Sequence, residues 1–109
     1  MSKIKLNSWY EIDSMKYMTY IIFGYEIEVD EERVIWRLNG KIHREDGPAV
    51  IWADGGQEWW LNDQIHREDG PAVVSSDGSQ EWYLNGKRMT KHEWRQKVDN
   101  INDNSLISN

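Results

Sequence analysis

Cysteine is absent from the chain, which excludes disulfides and thiolate metal sites and fits a reducing compartment. Long apolar runs are missing too. The most apolar stretch, Tyr20 to Phe23, is far shorter than the ~20 residues that span a bilayer. Basic charge is scarce: 13 Lys and Arg stand against 19 Asp and Glu, a net charge of −6. Without a Lys/Arg excess, non-specific binding to nucleic acid or to an anionic membrane is not expected, whereas a basic protein partner, or mimicry of nucleic acid, stays open. There is no Ser-His-Asp order, phosphate loop, HExxH or dinucleotide fingerprint. These absences predict a soluble, cytosolic, non-enzymatic protein with no cofactor, no catalytic residues and no bound metal.

Proline and phenylalanine are also rare, and their rarity directs attention to what is present. The only two prolines, Pro48 and Pro71, occupy the same place in a nonapeptide that occurs twice, Ile42-His43-Arg44-Glu45-Asp46-Gly47-Pro48-Ala49-Val50 and Ile65 to Val73. Trp36, Trp59 and Trp82 recur 23 residues apart, as do Leu38, Leu61 and Leu84. Two whole units and the start of a third are therefore present. A single phenylalanine against seven tryptophans and five tyrosines suits a thin sheet whose faces are half buried, with amphipathic rings replacing an aliphatic core.

At 109 residues the chain fits one domain. Its units are divided as a β-rich capping segment 1–33, the repeats 34–89, a capping helix 90–100 and a flexible tail 101–109. Lys3-Ile4-Lys5-Leu6 alternates like an edge strand, but Trp9, Ile12 and Met15 recur every third residue and predict a short helix over 8–16. Tyr17 to Val29 reads as β-structure broken at Gly24. Asn39-Gly40, Asn62-Asp63 and Asn85-Gly86 predict hairpin turns, as do Asp54-Gly55 and Asp77-Gly78. The fold class expected is mainly β: one antiparallel meander of hairpin units closed by a short C-terminal helix. Thr90 and Glu93 form a capping box at the start of that helix, which Trp94 and Val98 extend to about residue 99.

Matching apolar with apolar favours an odd-numbered Asn-Gly loop, with Trp36 and Ile42 on one face and Arg37 and His43 on the other, and a two-residue Asp-Gly loop that sets Val50 against Trp59 and Val73 against Trp82. This register predicts a core row of Trp36, Trp59 and Trp82. On the opposite face it predicts Arg37, Trp60 and Tyr83 beside His43 and His66.

The pattern Trp82-Tyr83-Leu84-Asn85-Gly86-Lys87, with His66-Arg67-Glu68-Asp69-Gly70-Pro71-Ala72, resembles the membrane occupation and recognition nexus (MORN) repeat, and more closely the MORN-like arrays of tailed bacteriophages and giant viruses. The resemblance covers roughly residues 34–90. It departs from the ordinary repeat where Arg44-Glu45-Asp46-Gly47 replaces the His-Gly-x-Gly glycines. It implies a protein-interaction scaffold rather than a chemistry. For a chain of phage origin it implies a small acidic protein that binds and disables a host defence component in the host cytosol, with a homo-oligomer as a further possibility.

Three functions follow as expectations. The first is a binding protein, the partner being a host protein, with Arg37, Trp60, Tyr83, His43, His66, Arg44 and Arg67 as its binding residues. The second sequesters a nucleotide between Trp60, Tyr83 and the arginines Arg44 and Arg67. The third is a metal-dependent hydrolase built on His43, His66 and the neighbouring carboxylates. Beside these stands a purely structural role for the nonapeptide, in which Arg44 pairs with Asp46 or Glu45, His43 bonds a backbone carbonyl and Asp46-Gly47-Pro48 sets the bend.

Overall fold

The computed structural model describes residues 5–12 and 15–107. Residues 3–4 of the expected edge strand lie outside them. The chain is mainly β: antiparallel strands follow one another in a meander, and one helix comes last. Strands β1 (Lys5–Ile12), β2 (Met15–Ile22), β3 (Tyr25–Val29) and β4 (Arg33–Leu38) pair in succession. The expected helix over 8–16 is therefore corrected where it can be seen: Trp9 sits opposite Met18 and Ile12 opposite Met15 in a strand pair. A three-residue spacing of apolar side chains cannot outweigh a row of β-formers that has a partner strand to complete its backbone bonds.

Beyond β4 the strands shorten. They are β5 (Lys41–Ile42), β6 (Val50–Trp52), β7 (Gln57–Glu58), β8 (Trp60–Leu61), β9 (Gln64–Ile65), β10 (Val73–Val74), β11 (Gln80–Leu84) and β12 (Lys87–Met89). The main sheet runs β1-β2-β3-β4-β6-β7-β10-β11-β12, with β5 on β4 and the β8–β9 pair beside it. Residues 5–12 and 15–29 thus extend the sheet edgewise and cover neither of its faces.

The two loop lengths are the reverse of those expected. Leu38 pairs with Lys41 and Arg37 with Ile42, so Asn39-Gly40 is a strict two-residue turn. Its central φ values of 53° and 81° are those of type I′, the turn whose twist matches the flanking strands. The Asp-Gly turn is the odd one. Trp52 N–H donates to Gly56 O at 2.8 Å and Gly55 N–H to Trp52 O at 2.9 Å, leaving three loop residues with Gly55 at φ 97°. Val50 consequently faces Glu58, and Val73 faces Glu81, instead of Trp59 and Trp82.

The helix α1 (Lys91–Ile107) opens with the expected capping box: Thr90 N–H donates to Glu93 Oε1 at 2.9 Å, and Glu93 N–H to Thr90 Oγ1 at 3.1 Å. Those bonds to Thr90 hold the Glu93 carboxyl below the usual carboxylate range. The helix runs well past residue 99, where a tail was expected, because lengthening an established helix adds one backbone bond per residue fixed. Trp94 and Val98 are buried with Leu84, against Trp82 and Met89. The Trp82 and Trp94 rings lie 4.6 Å apart between centroids, and Trp94 Nε1–H donates to Arg67 O at 2.8 Å. Trp94→Ala removes both the ring and the donor, and should lower stability by about 3–5 kcal/mol in chemical denaturation.

Candidate functional site

Strand alternation and side-chain contacts divide the expected site residues between two faces. Trp36, Trp59 and Trp82 share one face and Arg37, Trp60 and Tyr83 the other, as expected. His43 and His66 do not join the second row. His43 N–H donates to Trp36 O at 3.1 Å, and His66 N–H to Trp59 O at 3.0 Å, so each imidazole lies on its tryptophan's face. The two-residue turn causes this, since a one-residue change of register exchanges the faces.

On the tryptophan face the charged and imidazole side chains of the nonapeptide have local partners. The Arg44 guanidinium lies 3.8 Å over the Trp36 ring and donates to Asp46 Oδ1 at 3.0 Å and to Pro48 O at 3.2 Å. Arg67 repeats the arrangement over Trp59 at 3.8 Å, with Asp69 at 2.9 Å and Pro71 O at 3.0 Å. Such stacking contributes about 0.5–2 kcal/mol, more where water is excluded. A Cβ at Gly70 would come within 2.8 Å of Arg67 Cζ, so a larger residue there would move the guanidinium from its place. Ala49 and Ala72 are fully buried and carry the ladder, accepting from Trp36 N–H and Trp59 N–H at 2.8 Å each.

The histidines join one unit to the next. Asn62 N–H donates to His43 Nδ1 at 3.0 Å, and Asn85 N–H to His66 Nδ1 at 2.8 Å. A backbone amide can only donate, so Nδ1 is unprotonated and the ring proton sits on Nε2. That proton points at a carboxylate, Glu45 Oε2 at 3.1 Å or Glu68 Oε2 at 2.9 Å. The expectation that His43 bonds a backbone carbonyl is thus corrected: it accepts from a backbone amide. Two further bonds recur across the same junction. Asp63 N–H reaches Ile42 O and Gly86 N–H reaches Ile65 O, while Arg44 N–H reaches Trp60 O and Arg67 N–H reaches Tyr83 O. In the middle unit Asp63 stands where the other turns carry glycine, and its Oδ1 accepts Ile42 N–H at 2.8 Å.

Between the two loops lies a groove of about 510 Å³ floored by Trp59, Leu61 and His66, with Glu45, Asp46, Glu68 and Asp69 at its rim. Both of its imidazole-borne nitrogens at His66 are already bonded, and among the described residues no group of three or more His, Asp and Glu side chains is arranged to hold a metal ion.

The opposite face holds a row the sequence reading missed. Glu28 accepts Arg37 Nε–H at 2.8 Å, Glu58 accepts Trp52 Nε1–H at 2.9 Å and Trp60 Nε1–H at 2.8 Å, and Glu81 accepts the Tyr83 hydroxyl at 3.0 Å. Arg33 lies 5.3 Å over Trp52. Burial, then the hydrogen bond to Glu81 and its charge, raise the Tyr83 phenol above its ordinary value. Glu58 and Glu81 occupy equivalent places in successive units, two residues before Trp60 and Tyr83, and that spacing was the available signal. Arg37, Trp60 and Tyr83 are half buried, and among the described residues no element packs over them: α1 lies on the other face, against Trp82.

Comparison with models of known protein families, with curated proteins and with solved structures gives no match.

The two histidine side chains make the same bonds at nearly the same depth, 8% and 10% exposed. His43→Ala and His66→Ala each remove the acceptor of a backbone amide, and each should cost about 1–3 kcal/mol in equilibrium urea denaturation.

Proposed function

We propose that this chain is a MORN-like repeat scaffold that acts as a non-enzymatic binding protein, engaging another protein through the open face that carries Arg37, Trp60 and Tyr83. The observation that carries the reading is the contrast between the faces. On one, the imidazoles and guanidiniums are consumed by contacts within the chain. On the other, two rings and a guanidinium are fixed by Glu58, Glu81 and Glu28, and among the described residues no element is laid over them. Side chains immobilised before binding lose little entropy on docking, and Trp, Tyr and Arg are the side chains that most often dominate interface energy.

The small size and net charge of −6 fit the phage-type reading, in which the partner is a host protein with a basic surface and the consequence of binding is inhibition in the host cytosol. Electrostatic attraction would speed that encounter and make it salt-dependent. The nucleotide reading is weaker, because Trp60 and Tyr83 lie on the face opposite Arg44 and Arg67. The hydrolase reading is weaker as well, since a metal or a substrate proton would have to displace an amide from Nδ1 or a carboxylate from Nε2.

Affinity purification from bacterial lysate, repeated with the purified candidate at two salt concentrations, tests the proposal. We expect one stoichiometric host protein, bound about tenfold or more weakly by Trp60→Ala and Tyr83→Ala, both of which remain folded. Recovery of the bare protein, or unchanged affinity in both variants, contradicts it.

A further inference from the structure

Among the described residues the tight turns follow one rule with one exception. Five described residues other than glycine have positive φ: Asn39, Asn62, Asp63, Asn85 and Phe23. Asn and Asp tolerate that conformation because their short polar side chains bond locally. Phe23 has no such compensation. It is at φ 50° beside Gly24 at φ 84°, in the two-residue turn between Ile22 and Tyr25, a position that suits Asn. Burial does not offset the cost, since the residue is 76% exposed.

Beside this ring is a groove of about 460 Å³ lined by Ile22, Phe23, Tyr25, Trp36, Glu45 and Asp46. Tyr25 and Trp36 meet edge to face at 5.4 Å between centroids. Among the described residues no lysine or arginine lines the groove. The nearby Arg44 is turned down onto Trp36, and Glu45 and Asp46 stand at the rim with side chains 74% and 83% exposed. Each gives one oxygen to its neighbour in the nonapeptide, Glu45 Oε2 to His43 and Asp46 Oδ1 to Arg44. Among the described residues the other oxygen of each has no partner. Aromatic walls under a carboxylate rim attract a cation and shelter an apolar neighbour.

We infer that the Phe23 turn and this groove form a second docking point, separate from the open face, for a segment of a partner protein that sets a lysine or arginine beside an apolar side chain. Phe23 is the anchor, Tyr25 and Trp36 form the wall, and the free oxygens of Glu45 and Asp46 receive the cation. A strained, exposed aromatic is retained here for binding and works against folding.

The experiment separates these two effects in one variant. Amide chemical shifts of the ¹⁵N-labelled protein are followed during titration with three capped tetrapeptides: Leu-Lys-Leu-Lys, Ser-Lys-Ser-Lys and Leu-Glu-Leu-Glu. The first should shift residues 22–25, 36, 45 and 46, and the other two should bind about tenfold more weakly or not at all. Phe23→Asn should raise the urea midpoint and weaken the first peptide about tenfold, whereas Phe23→Trp should retain binding. Equal binding of Ser-Lys-Ser-Lys, shifts scattered over the acidic surface, or a lower urea midpoint for Phe23→Asn would each overturn the inference. Because the probes are synthetic, the outcome does not depend on whether the open face has a partner.

Discussion

An imidazole that accepts a backbone amide from the next hairpin is the contact on which the array depends. A two-residue type I′ turn leaves the N–H groups of its central residues pointing away from its own hairpin, and an array needs acceptors for them. His43 and Ile42 O supply those acceptors for Asn62 and Asp63, and His66 and Ile65 O supply them for Asn85 and Gly86. The remainder of the nonapeptide keeps the imidazole in place. Glutamate takes the Nε2 proton, arginine roofs the tryptophan and ties the loop through aspartate and the proline carbonyl, and glycine makes room for the guanidinium. The same side chains therefore recur at both junctions.

Where a third junction would begin, the sequence changes and so does the solution. Met89 stands in the histidine position, and α1 lays Trp94 against Trp82 where an arginine roof would otherwise sit. The Trp94 indole N–H bonds Arg67 O, so the cap holds the last loop as well as the last ring. This gives the end of the array a small aliphatic and aromatic core, Leu84, Trp94 and Val98.

The period, the meander, the turns and the capping box were all legible in the sequence, because each rests on local chemistry that recurs at a fixed spacing. Register was not. Placing Trp36 and Ile42 on one face assumed that apolar side chains gather on the same side of the hairpin, whereas Trp36 is covered from above by Arg44, which leaves its cross-strand neighbour free to be His43. The Asn-Gly loop was therefore read as odd and the Asp-Gly loop as even, when Asn39 and Gly40 both adopt positive φ and Gly55 alone does so in its turn. The division of Arg37, Trp60 and Tyr83 from the tryptophan row survived this error, since it follows from alternation along one strand. The placement of His43 and His66 did not survive, since it depends on pairing between strands. Asp63 and Phe23 stood out only once their φ angles were seen against the other turns.

The clamp makes a definite statement about two protons, and long-range ¹H–¹⁵N correlation of the imidazole rings at neutral pH reads it directly. The structure requires both His43 and His66 to be neutral, with an unprotonated, acceptor-type Nδ1 and a protonated Nε2. Those resonances for both rings would establish the imidazole-to-amide contact as the link between units. A protonated Nδ1 in either ring would mean that no amide donates to it, and the account of the nonapeptide as an inter-unit clamp would fall.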